Sequence, residues 1–446
     1  MDTVIKITQF LLSLSFLIVL HEMGHFAPAK WFKIRVEKFY LFFDAAPFNS
    51  LWKIKRGDTE YGIGWLPLGG YVKISGMIDE SMDTAAMKEP PKDWEFRSKP
   101  AWQRLIIMIG GVTVNFILGF LIFGMMLWHY GEAYIPNKEL KYGSAMDSVL
   151  LKQGFQQGDV ITKVGNQTFD RLDPVGFLKA VALDNQHQVT VLRNGQEQSI
   201  TLADDMAGQL TNAGVQKKLL LAARIPFYVE KLKKGDPADK AGILANDRIV
   251  AFNGQTVEYY DQFAPLAKAT AGQNATITVE RGSERKDIGI TISEAGTIGV
   301  FPKAPGKFFN VEREKYSLGA AIPAGINRGV EFLNDQLKAF GQMFRGKISA
   351  KDNLGSLISI GNMFPSYWDW EIFWNITASL SIILAFMNLL PIPALDGGYV
   401  VFLIWEVVTG RKVSDAFMEK AVTVGFFLLL GLMVFAFGLD LMRFVF

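Results

Sequence analysis

The chain has 446 residues, half of them hydrophobic, with a formal net charge of +2 and no cysteine. A mean hydropathy of +0.18 is too apolar for an ordinary soluble protein and too polar for one embedded throughout, so membrane spans joined to soluble domains are predicted. The near-neutral charge argues against a nucleic-acid partner, which needs a strongly basic face, and the lack of cysteine excludes disulfides, thiolate metal sites and a thiol nucleophile.

Residues 1–30 carry the first apolar run, long enough for the roughly 20 residues that cross the hydrocarbon core. Within it stands "LSLSFLIVLHEMGHFAPAKW" (residues 12–31), which sets two of the chain's four histidines four residues apart. A signal peptide is the alternative, because "APAK" (residues 27–30) offers a small-residue cleavage site. An apolar signal core should not hold His21, Glu22 and His25, so a permanent span is expected. On a helix, His21 and His25 share a face and can bind one zinc, while Glu22 reaches a water as general base. The five-residue pattern is weak alone and gains force from its setting. Ionisable groups in hydrocarbon cost several kcal/mol unless something, such as a metal, offsets them.

Residues 31–103 form a loop flanked by Lys30, Lys33, Arg35, Lys38, Arg97, Lys99 and Arg104, whereas Lys6 alone precedes the first span. The positive-inside bias places this loop in the cytoplasm and both termini outside. Its segment "TEYGIGWLPLGGYVKISG" (residues 59–76) alternates apolar residues with glycines. It is predicted to be a membrane-associated β-hairpin, which is either a purely structural anchor or an edge able to receive an extended peptide. Residues 104–128 make the second span, whose apolar run, residues 105–128, has Asn115 as its one strongly polar side chain.

Residues 129–305 are mostly soluble and repeat themselves. "GFQQGDVITKVGNQTF" (residues 154–169) aligns without gaps on "GILANDRIVAFNGQTV" (residues 242–257), pairing Gly154 with Gly242 and Asp159 with Asp247. Two tandem β-rich domains, 129–221 and 222–305, are the natural reading. In residues 306–352, Ile322, Ile326, Val330, Leu333, Leu337, Phe340 and Phe344 recur at spacings of three and four. That stripe predicts an amphipathic helix, packed either on the second repeat or on the outer membrane surface.

Residues 353–396 hold the third span, which ends in "PIPALDGG" (residues 391–398) where Pro391 and Pro393 break the helix. Residues 397–446 supply a cytoplasmic segment and the fourth span, with Arg411, Lys412 and Lys420 agreeing in orientation. The first and third spans both run inward, so Asp396 arrives at a depth similar to that of the two histidines. A catalytic zinc takes three protein ligands and keeps one position open, and Asp396 is the expected third. An ordinary Asp-Gly turn would be the better account of "ALDGG" had the histidine motif been absent.

"HEMGH", "LPLGGYVK" (residues 66–73), the two repeats and "NLLPIPALDGG" (residues 388–398) occur in this order over nearly the whole chain. Together they resemble the site-2 protease family of intramembrane zinc metalloproteases, and the repeats, the second more closely, resemble the PDZ domain. The resemblance implies about four transmembrane helices, a membrane-associated β-hairpin region, two PDZ-like domains and an amphipathic helix. It implies zinc as cofactor on His21, His25 and Asp396, Glu22 as catalytic base, and substrate contacts at Asn388, Asn115, Gly69 and Gly70. Its expected substrates are single-span membrane proteins of the lipid bilayer, such as an anti-sigma factor already cut by another protease or remnant signal peptides. The expected place is a bacterial inner membrane, with the repeats periplasmic and the site towards the cytoplasm. From there the expected effect of the repeats is on which substrates are admitted, by size exclusion, the favoured reading, or by binding a new C-terminus. Two departures stand out: "FFD" (residues 42–44) replaces the Gly-x-Gly of relatives, and Gly110-Gly111 replaces a Gly-Pro. The rival functions are a non-catalytic PDZ-bearing receptor and a zinc transporter. The intact His21, Glu22, His25 and Asp396 argue against the first, and the lack of further polar residues through the spans argues against the second.

Overall fold

A computed structural model describes residues 2–444 except 46, 47, 49, 68, 78–89 and 213–219. Leu68 of the "LPLGGYVK" motif therefore lies outside the described residues. The chain divides into two compact units: Met1–Gly131 with Lys315–Leu337 and Leu354–Phe446, and Glu132–Glu314 with Lys338–Asn353.

Among the described residues, four helices are long and apolar enough to cross a membrane: Thr3–Trp31, Ala101–Tyr130, Trp370–Leu389 and Ala416–Arg443. They belong to helices α1 (Asp2–Trp31), α2 (Ala101–Tyr130), α5 (Trp370–Leu389) and α7 (Asp415–Phe444), with α3 (Leu318–Phe344), α4 (Leu357–Met363) and α6 (Asp396–Thr409) between them. Small residues let the spans approach closely, as expected where lipid offers no hydrophobic drive for association. A Cβ on Gly24 of α1 would stand 2.5 Å from the carbonyl oxygen of Gly110 on α2, and one on Gly119 of α2 would stand 2.6 Å from Ile382 of α5. Buried polar groups add to this packing. Ser13 and Thr377 hydroxyls lie 2.9 Å apart, and Ser381 Oγ donates to the Asn115 carbonyl at 2.7 Å.

The fourth span is tied at both ends. Asp440, fully buried, accepts from the backbone N–H and hydroxyl of Ser356 and of Ser359 at 2.6–2.9 Å, which satisfies the free N–H groups at the start of α4. Towards its other end, a Cβ on Gly425 would stand 1.7 Å from the Pro393 carbonyl oxygen.

After α1 comes a four-stranded sheet of β1 (Val36–Leu41), β2 (Trp52–Arg56), β3 (Thr59–Ile63) and β4 (Tyr71–Ile74), in the order β2-β3-β1-β4. This corrects the expected hairpin over residues 59–76. β3 and β4 do not pair with each other; β1 lies between them, parallel to β3 and antiparallel to β4, and the hairpin is β2–β3. The reason is steric: the Tyr40 ring of β1 covers Gly62, where any Cβ would stand 2.4 Å from it. Gly62 is therefore a seat for a side chain of the neighbouring strand.

The other unit realises the sequence repeat. Strands β5 (Val160–Val164), β6 (Gln167–Thr168), β7 (Gln188–Arg193) and β8 (Gln196–Thr201) form one sheet, and β9 (Arg248–Phe252), β10 (Gln255–Thr256), β11 (Asn274–Arg281) and β12 (Glu284–Thr291) form another, in the equivalent orders β6-β5-β7-β8 and β10-β9-β11-β12. The aligned aspartates make the same clamp: Arg193 pairs with Asp159 at 2.8 Å and Arg281 with Asp247 at 2.7 Å. Each arginine also donates to the aligned glycine carbonyl, Gly154 or Gly242, at 2.9 Å.

The predicted amphipathic helix is α3. Its Gly325 seats against α2, where a Cβ would stand 2.3 Å from the Gly124 nitrogen, while Ile322, Ile326 and Val330 of the stripe are exposed. The apolar run after Asp396 forms α6, whose 14 residues are too few to cross a bilayer.

Candidate metal centre

One helix supplies both histidines, and their i, i+4 spacing stacks them on the face turned to α2. His25 Nδ1 lies 2.9 Å from the carbonyl oxygen of Ile107 on α2. As donor to that carbonyl, the ring leaves its Nε2 with a free lone pair. Close approach of α2 makes this possible, because Gly111 faces both rings and carries no side chain to displace them.

Asp396 arrives from the loop that follows α5. Pro391 and Pro393 remove backbone donors and end the helix, and the chain turns through Ala394 at a φ of +82°, a left-handed conformation costly for a residue with a Cβ. Gly397 and Gly398 are required by the return of the chain: a Cβ on either would stand 2.3–2.6 Å from backbone atoms of residues 389–393. Asp396 is then the first residue of α6, where a carboxylate is favoured by the helix dipole.

The three groups converge. Asp396 Oδ2 stands 3.3 Å from Nε2 of His21 and 3.3 Å from Nε2 of His25, and the two Nε2 atoms are 3.3 Å apart. A lone-pair nitrogen and a carboxylate oxygen this close repel unless a cation lies among them. A tetrahedral ion bound at about 2.0–2.1 Å needs its ligand atoms about 3.3–3.4 Å apart. The Oδ2 atom is buried without a hydrogen-bond partner among the described residues, as an atom reserved for a metal would be. The donor set, two imidazoles and a carboxylate on a closed triangle, fits zinc.

Glu22 is buried beside the triangle, and a Cβ on Gly70 would stand 3.5 Å from its Cγ and 2.5 Å from Ile18. Gly70 precedes β4, so the free edge of the sheet runs next to Glu22. Gly69 packs instead on the Phe43 ring. Asn388, at the end of α5, places Nδ2 3.2 Å from His21 Nε2. Asn115 is fully buried, with Nδ2 3.3 Å from His21 Nδ1. The sequence singled out all eight of these residues; it did not show Ile107, whose role rests on a backbone atom, nor Gly425, one glycine in a Leu- and Phe-rich span. Gly111 was visible only as a departure from a Gly-Pro pattern.

The "FFD" departure has a structural counterpart. Phe42 sits at a φ of +67°, a conformation that suits glycine better than a residue with a side chain. Asp44 accepts from Lys38 Nζ and Tyr71 OH, both at 2.8 Å. Burial alone would raise its pKa, but these hydrogen bonds hold it below the usual carboxylate range. Tyr40, buried and donating to Glu60 at 2.7 Å, is pushed up to about 12. The polar clasp fixes the start of β4 against β1.

Residues 9–432 match peptidase family M50. Protease RseP of Yersinia pestis is 27% identical, over 98% of this chain and 98% of its own length. The regulator of sigma E protease of Haemophilus influenzae is 27% identical over the same shares. The metalloprotease MmpA of Caulobacter vibrioides is 26% identical over 99% of this chain and 96% of its own length.

Proposed function

The chain belongs to peptidase family M50 and is a zinc metalloprotease of the site-2 type, and from that premise we propose that it cuts single-span membrane proteins at a zinc held by His21, His25 and Asp396. The observation that carries this assignment is the closed triangle of three acceptor atoms 3.3 Å apart beside a buried glutamate. Zinc supplies a Lewis acid that polarises the scissile carbonyl and makes water acidic enough to lose a proton near neutral pH.

The protein's own residues do the rest. A transmembrane substrate hides its carbonyls in helical hydrogen bonds and must be unwound before any can be attacked. The outer edge of β4, the terminal strand of its sheet, lies beside Glu22 and offers backbone groups with which an extended substrate strand can pair. Glu22 takes a proton from the attacking water and returns it to the leaving amide nitrogen, so that neither a strong base nor an amide anion is released. Asn388 Nδ2, 3.2 Å from His21 Nε2, stands where it can donate to the carbonyl oxygen as negative charge builds there.

The name of the Haemophilus influenzae relative, a regulator of sigma E protease, supports a substrate in sigma-factor control, for which our reading is an anti-sigma factor already shortened by a first cut. The four apolar helices support a membrane, read as the bacterial inner membrane, as its place. The basic flanks of residues 31–103 support a site facing the cytoplasm, with the repeats, which we read as PDZ-like, on the periplasmic side. The exposed Ile322, Ile326 and Val330 of α3 support contact with lipid next to α2. The test is to incubate the purified protein with a panel of single-span substrates, with and without a chelator. Cleavage lost on chelation and restored by zinc is expected. Cleavage that survives complete metal removal overturns the assignment.

A further inference from the structure

His25 and His21 are not held alike. His25 donates Nδ1–H to a backbone carbonyl, which fixes its tautomer with the Nε2 lone pair free. No backbone carbonyl among the described residues is recorded for His21, whose Nδ1 faces the side-chain amide of Asn115. With Nε2 directed at the common point shared with His25 and Asp396, a neutral His21 ring carries its proton on Nδ1, and that proton needs an acceptor.

Asn115 can be that acceptor in one orientation of its amide. Turned with Nδ2 to the ring, it sets two donors 3.3 Å apart and leaves Oδ1 buried without a partner among the described residues. Turned the other way, Oδ1 accepts the Nδ1 proton; the amide's oxygen and nitrogen have nearly the same shape, so the hydrogen-bond network decides between them. Ser381 anchors the residue by donating to its carbonyl oxygen at 2.7 Å. Its side chain is 0% exposed, which leaves it no surface on which to meet a substrate.

We infer that Asn115 is a positioning residue of the metal centre, which accepts the Nδ1 proton of His21 and so keeps the Nε2 lone pair on the metal, as the Ile107 carbonyl does for His25. The inference rests on the reading of His21 as a zinc ligand. Partners of this kind are worth about 10- to 100-fold in metal affinity.

The test uses the full-length, zinc-loaded protein in detergent, with zinc content followed during a chelator challenge. Asn115→Leu removes the acceptor at similar volume and should lose zinc about 10- to 100-fold more readily. Asn115→Asp restores an acceptor and should hold zinc as the wild type does. With cobalt in place of zinc, the wild type and the Asp variant should share a d–d spectrum that the Leu variant shifts. A Leu variant that holds zinc as well as the wild type overturns this inference alone, as does an Asp variant that loses zinc as fast as the Leu variant. A folded wild type that binds no zinc overturns the underlying assignment with it. Ring-nitrogen spectra of the zinc-loaded wild type, with only four histidines to resolve, need no variant to fold. A His21 Nδ1 proton protected from exchange is expected, and its free exchange with solvent refutes the role of Asn115.

Discussion

A Cβ on Gly111 would stand 2.3 Å from Nε2 of His25, and 2.8–2.9 Å from Cε1 and Nδ1 of His21. The missing side chain of α2 is therefore part of the space in which both imidazoles take up their positions. Gly111→Ala should swing the rings off the triangle and lower zinc affinity by at least about tenfold, while helix content stays unchanged. Elemental analysis beside circular dichroism checks this, and a folded variant with full zinc occupancy contradicts it.

Glu22 makes no edge of the triangle, so its loss should separate binding from chemistry. Glu22→Gln keeps the shape, removes the proton acceptor and should retain one zinc per chain. Its cleavage rate should fall by about 100-fold or more, the range attributed to a positioned general base. Single-turnover rates measured together with zinc content decide the matter; equal loss of both would make Glu22 a ligand or a structural group.

Gly425 of the fourth span touches the chain that delivers Asp396, since its Cβ would overlap the Pro393 carbonyl oxygen at 1.7 Å. Gly425→Ala must displace either α7 or residues 391–396. Overpacking of this kind costs about 1–3 kcal/mol, and zinc occupancy should fall although residue 425 is nowhere near the metal in sequence. Unchanged thermal stability and zinc content would show that α7 shifts freely.

Asp247 lies in the second repeat, where burial that would raise its pKa is outweighed by hydrogen bonds from Arg281 and the Leu244 backbone, so its pKa is lowered. A depressed folded value means stability that is fully present above the unfolded pKa of about 3.9 and lost as pH falls through the folded value. Asp247→Asn should destabilise the sheet β9–β12 by about 1–3 kcal/mol at neutral pH, and the gap to the wild type should close below about pH 4. Hydrogen exchange of the β11 amides across that range reads it directly. A gap that is independent of pH would place the effect in packing rather than charge.

The orientation inferred from basic flanks can be tested in a chain without cysteine. Single cysteines at Asp93, in the first loop, and at Lys234, in the second repeat, should react with a membrane-impermeant thiol reagent from opposite sides of the membrane. Labelling from the same side refutes that orientation, and with it the common depth argued for the two inward-running spans.

The sequence by itself determined what depends on neighbours along the chain. Four apolar runs, the i, i+4 histidines, the prolines ahead of Asp396 and the gapless repeat are local patterns, and helices, breaks and duplicated strands follow from local geometry and hydropathy. Only the tertiary structure decided what depends on distant segments meeting. The insertion of β1 between β3 and β4 could not be read from residues 59–76, because alternation says which face a strand buries and not which strand lies beside it. The sequence does not say what the glycines at 24, 110, 111 and 425 face; the packing shows which backbone or imidazole each makes room for. Asn115 is the sharpest case: its polarity stands out in an apolar span and the family resemblance implied a substrate contact, but its neighbour, a ring nitrogen 94 residues away, was fixed only when α1 and α2 crossed.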